Sequence, residues 1–85
     1  MTPSTYAVRR RLIESTCREF AIGLRFKYGI PTSVTIEGLL LLDGDEDKFL
    51  SIIDYLAFDR TTVENTPKCA ALLEHARRAR RGLRL

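Results

Sequence analysis

The side chains best equipped for chemistry in this chain are its arginines, eleven of them against three lysines. Arg9, Arg10 and Arg11 are consecutive near the start, and Arg77, Arg78, Arg80 and Arg81 crowd together near the end. Guanidinium groups in such clusters neutralise phosphate and supply most of the nonspecific affinity of a nucleic-acid-binding protein. Base stacking would need aromatic rings among them, and no Phe, Tyr or Trp follows Phe58. The same residues also suit a plainer role, because cations at the end of a helix interact favourably with its dipole. Nucleic-acid contact through Arg9, Arg10, Arg11, Arg77, Arg78, Arg80 and Arg81 is therefore the alternative reading, behind internal pairing or solvation.

A second constellation is the acidic run Asp43-Gly44-Asp45-Glu46-Asp47. With Asp54 it falls on several ligand positions of a calcium-binding helix–loop–helix, but Lys48 stands where that loop requires glycine and Asp54 replaces the bidentate Glu. A helix N-terminus accounts for the acids without a metal. His75 is the single histidine, and Cys17 and Cys69 are the two cysteines. Neither cysteine has zinc-ligand spacing, and Cys69 lies six residues from His75 and so points another way on one helix. A glycine-rich phosphate loop and a paired-carboxylate arrangement are both missing. The expectation is a non-enzymatic protein with no catalytic residue, no metal and no cofactor.

Composition bounds the elements that must position these groups. A chain of 85 residues, 45% hydrophobic, has the material for one modest core, so residues 1–85 read as a single helical domain. The net charge of +3 permits contact with an acidic partner without requiring one. No secretory leader is visible behind Met1, and both cysteines read as free thiols in a reducing, cytoplasmic setting. No apolar run reaches the ~18 residues of a membrane span.

Residues 3–28 read as one long helix, capped by Thr2 or Ser4 and closed by Gly29, Ile30 and Pro31. Its buried stripe is Tyr6, Ile13, Cys17, Phe20, Leu24 and Tyr28 at helical spacing. Val8, Leu12, Ile22 and Phe26 fall on the opposite side, a second apolar face that an 85-residue fold has difficulty covering. Residues 34–42 read as a short helix capped by Ser33, with Gly38 marking a close approach or a weak point; a strand over residues 34–40 is the alternative. A third helix over residues 45–58 begins at a capping box of Asp43 and Glu46 and buries Phe49, Leu50, Ile53, Leu56 and Ala57. After a polar loop over residues 60–65, Thr66 caps and Pro67 opens a last helix over residues 67–81. It buries Cys69, Leu72, Leu73, Ala76 and Leu83 and closes at Gly82.

The fold class expected is all-α, a small four-helix bundle, with α+β and one short strand as the alternative. Its core is Ile13, Cys17, Phe20, Leu24, Leu41, Phe49, Ile53, Leu56, Leu72, Leu73 and Ala76. Up-and-down connection brings both arginine clusters to the end that holds Asp43, Asp45, Glu46 and Asp47. The function expected is a binding or regulatory module acting by protein–protein contact through Val8, Leu12, Ile22 and Phe26. Its partner is another protein or a second copy in a homodimer, and no membrane is involved. Small inhibitors, immunity proteins and antitoxin-like regulators share this size and lack of catalytic motifs, an analogy of class rather than of residues.

Overall fold

A computed structural model describes residues 5–58 and 66–82. Among these residues five helices follow one another and no strand forms: α1 Thr5–Thr16, α2 Arg18–Tyr28, α3 Thr32–Leu41, α4 Glu46–Leu56 and α5 Thr66–Gly82. The class is all-α, and residues 34–40 lie within α3, which removes the strand alternative.

The fifth helix arises because the long first helix is broken at Cys17, whose φ of −107° and ψ of 19° leave the helical region. Ser15, Thr16 and Cys17 are all weak helix formers, and an apolar stripe that continues through them conceals that weakness. The break is shallow. Cys17 N–H still bonds to Ile13 O at 2.8 Å and Ala21 N–H to Cys17 O at 2.9 Å. Ile13, Cys17, Ala21 and Leu24 are buried in succession, so one side faces inward through both α1 and α2. Tyr6, expected on that buried stripe, is 53% exposed and uses its hydroxyl instead, donating to Glu37 at 3.0 Å.

α2 closes as its residues dictate: Gly29 is left-handed (φ 70°), its N–H bonds to Arg25 O, and Ile30 behind it is fully buried. α3 then opens at Thr32 behind Pro31, not behind Ser33, and no side chain caps it. This helix is the centre of the fold and packs against α1, α2, α4 and α5. Only a helix apolar on nearly every side suits that position. Thr35, Ile36, Gly38, Leu39 and Leu40 are all buried along it. At Gly38 the close approach is real: a Cβ there would overlap the ring of Phe49, which is fully buried on α4. Phe20 meets the same ring edge-to-face, with centroids 6.0 Å apart.

The turn into α4 corrects the expected capping box by two residues. Asp43 (φ 56°) and Gly44 (φ 82°) reverse the chain in left-handed conformations, and Gly44 N–H bonds to Leu39 O at 2.8 Å. Asp45 is the cap, its Oδ1 accepting from Lys48 N–H at 3.0 Å. α4 stops at Leu56, earlier than residue 58, because Ala57 turns left-handed at φ 50°. α5 begins at Thr66 itself, and Gly82 is its last residue rather than a left-handed stop. The caps at Thr2 or Ser4, the loop over residues 60–65 and the burial of Leu83 lie outside the described residues.

The buried side chains form one core. Ile13, Cys17, Leu24, Phe49, Ile53, Leu72 and Ala76 are buried as expected. Phe20, Leu41, Leu56 and Leu73 are only half-buried, displaced by Ile30, Leu39 and Leu42, which are almost wholly enclosed. The inward face of α3 therefore runs through Leu39 rather than Leu41.

Candidate interaction surface

Because Ile13, Cys17, Ala21 and Leu24 fix the inner side of α1 and α2, the opposite side must face solvent. There Val8 is 53% exposed, Leu12 64%, Ile22 39% and Phe26 82%. Tyr6 and Tyr55 complete the large apolar side chains left exposed among the described residues. Each of those two has a local contact: Tyr6 with Glu37, and Tyr55 with the His75 ring at 5.2 Å between centroids. The four on α1 and α2 have no such occupation. With Ser15 and Glu19, both exposed, they sit at positions 8, 12, 15, 19, 22 and 26, alternating steps of four and three residues. That is the spacing of a seam on which a second helix packs.

One edge of the seam is basic. Arg11, Arg18 and Arg25 follow at seven-residue intervals, all exposed, and none makes an ion pair among the described residues. Beside them an open groove of about 630 Å³ separates α1 and α2 from the start of α3; its walls include Arg11, Arg18, Ile22, Thr32 and Ser33, and its one carboxylate, Glu14, is paired with Arg10. Thr32 and Ser33 form the uncapped first turn of α3, where the helix dipole adds partial positive charge. Arg18 and Arg25 escape a sequence reading that looks only for consecutive arginines; the signal is their seven-residue register with Arg11.

The arginine clusters have divided roles. Arg9 donates to Asp43 Oδ1 at 2.8 Å and to Leu40 O at 3.2 Å, closing the C-terminus of α3 from outside. Arg10 pairs with Glu14 at 2.9 Å, with Glu37 and with the Tyr6 hydroxyl; Tyr6 and then Glu37 push its pKa further above the ordinary arginine value. Arg11 alone of this trio makes no ion pair among the described residues. On α5, Arg77, Arg78 and Arg81 gather around Glu74 at 3.5, 3.7 and 3.8 Å, while Arg80 makes no ion pair among the described residues. Arg77, Arg80 and Arg81 also border a groove of about 470 Å³ with Leu41, so both clusters do reach the end of α3. Their expected pairing with the acidic turn holds only for Arg9 and Asp43. Arg77 and Arg78 are served within their own helix by Glu74 one turn back, Arg81 by the same carboxylate from two turns away, and Asp45 is occupied as a cap.

Cys17 and Cys69 are free and buried. Burial holds both thiols above their ordinary pKa, and at Cys17 a hydrogen bond to Glu46 adds to the effect. Thiols in that state are poor nucleophiles at neutral pH. Among the described residues no group of three His, Cys, Asp or Glu could hold a metal ion, and no helix is long and apolar enough to cross a membrane. Comparison with protein-family models, with curated proteins and with solved structures finds no match.

Proposed function

We propose that this chain is a non-enzymatic binding or regulatory module that acts by protein–protein contact through Val8, Leu12, Ile22 and Phe26. The observation that supports this reading is the joint exposure of these four side chains on the side of α1–α2 opposite Ile13, Cys17, Ala21 and Leu24. Scattered exposed apolar residues need no explanation, but a row of four in helical register is an interaction surface in search of a partner. Covering what is now exposed would contribute roughly 4–7 kcal/mol. Association itself costs about 4–15 kcal/mol, so the seam alone supports a weak complex and polar groups must add to it. The inhibitor, immunity and antitoxin-like classes all work in this way.

Nucleic acid is the second reading. Arg11 and Arg80, without acidic partners among the described residues, favour it, but Arg9 and Arg10 already hold α1 onto α3. A titration against duplex and single-stranded nucleic acid at two salt concentrations separates the two, since phosphate contacts weaken steeply with salt.

The direct test replaces Ile22 and Phe26 together by Asp. The double variant is expected to keep its helical circular dichroism and its cooperative melting while losing a partner that the parent chain retains from native cells. An unfolded double variant would place that face in the core and end the proposal.

A further inference from the structure

We infer that the occupant of this face is an acidic amphipathic helix of a different protein, lying with its apolar side on Val8, Leu12, Ile22 and Phe26 and its carboxylates along Arg11, Arg18 and Arg25. The inference rests on the contact face proposed above and adds the chemistry of what covers it. Charge complementarity carries it. The neighbouring cations are engaged: Arg9 on Asp43, Arg10 on Glu14 and Glu37. The three arginines in seam register are exposed and without acidic partners among the described residues, beside a groove whose far wall is the positive end of α3. Such a row selects carboxylates at a helix flank more than it supplies raw affinity.

The same geometry disfavours the other occupants. A second copy packed antiparallel would set one arginine row against the other, Arg18 beside Arg18 and Arg11 beside Arg25. Packed parallel, it would bring Glu19 onto Glu19 in the middle of the seam. Like charges so placed repel. A lipid surface or a nucleic acid laid across the seam would also meet the exposed Glu19 carboxylate between Ser15 and Ile22, where a polyanion is repelled. A partner helix needs only one hydrogen-bond donor opposite Glu19.

The test uses the full chain and two synthetic 21-residue peptides that share one leucine seam with a single Gln to meet Glu19, the first with Glu at every flanking position and the second with Lys. Binding is measured by titration calorimetry at 50 and 200 mM salt, beside sedimentation of the chain alone and binding to vesicles of three parts phosphatidylcholine to one of phosphatidylserine. The Glu peptide is expected to bind about tenfold more tightly than the Lys peptide, as three exposed ion pairs would give. That preference should shrink at 200 mM salt and vanish in the triple variant Arg11→Gln, Arg18→Gln, Arg25→Gln, whose melting temperature stays near that of the parent. The double Asp variant at Ile22 and Phe26 should bind neither peptide. Equal binding of both peptides to the parent chain would overturn the acidic partner and leave the contact face standing. Binding of neither would overturn the face as well, and self-association or vesicle binding in its place would name the true occupant.

Discussion

α3 and the outer side of α1–α2 both present apolar side chains turn after turn, yet four helices wrap the first while the second faces solvent. The difference lies in what interrupts each row. In α3 the interruptions are small: Gly38 admits the Phe49 ring, and Thr35 is the one buried polar side chain among the described residues. On α1–α2 they are Ser15 and Glu19, and an unpaired carboxylate is among the most costly groups to bury. A chain of 85 residues wraps one helix on most of its sides, and the helix wrapped is the one with nothing charged among its buried residues. The seam keeps its charge and its exposure together.

The sharpest way to break this comparison is to truncate one large ring from each row. Phe49→Ala empties a fully buried site and is expected to destabilise by about 3–5 kcal/mol, much of what a small domain has. Phe26→Ala, at a side chain 82% exposed, should change stability by no more than about 0.5 kcal/mol. Urea midpoints for the two variants decide the matter. A large loss from Phe26→Ala would mean that the outer face is covered within the fold.

A smaller contrast comes from adding one methyl group to each row. Gly38→Ala drives a Cβ into the Phe49 ring and should destabilise by about 1–3 kcal/mol. Gly23→Ala on α2 meets nothing within 4 Å and should stabilise by about 0.5–1 kcal/mol through helix propensity alone. Opposite signs in thermal melts support the assignment of wrapped and open helices; equal signs contradict it.

Much of this arrangement is legible in the amino-acid sequence. The spacing of Ile13, Cys17 and Leu24 identified the inward side of the first segment, Val8, Leu12, Ile22 and Phe26 its outward side, and Gly29-Ile30-Pro31 its end. Periodicity could not show the break at Cys17, because a shallow interruption leaves the stripe in phase while the weak formers around it decide the backbone. Nor could it rank Leu39 above Leu41, since a run of four leucines in a helix apolar on nearly every side carries little directional signal and its facing depends on its neighbours. Arg18 and Arg25 stand alone in the sequence, and only their seven-residue register with Arg11 sets the three in one exposed row. The pairing of Arg77 and Arg78 with Glu74 is local and was in principle readable from steps of three and four residues.

The finest comparison concerns one hydroxyl in each row. Thr35 Oγ1 is fully buried and has no hydrogen-bond partner among the described residues, although a helical threonine ordinarily bonds back to the carbonyl four residues earlier, here Pro31. Pro31 O instead accepts from Val34 N–H at 3.0 Å and Thr35 N–H at 3.2 Å. An unsatisfied buried hydroxyl costs about 1–3 kcal/mol in desolvation, so Thr35→Val, which keeps the shape and removes the polar atom, should stabilise by about 1 kcal/mol. For a domain of this size that is a rise of about 4–8 °C in melting temperature. Ser15→Ala removes a hydroxyl that water already satisfies, and propensity alone should move stability by about 0.5 kcal/mol. If Thr35→Val melts lower than the parent chain, the hydroxyl has found an acceptor in solution, and α3 is less tightly sealed than its neighbours' packing implies. If it melts higher, the wrapped helix tolerates its polar atom at a loss in stability, whereas the open seam holds Ser15 and Glu19 in water at no such loss.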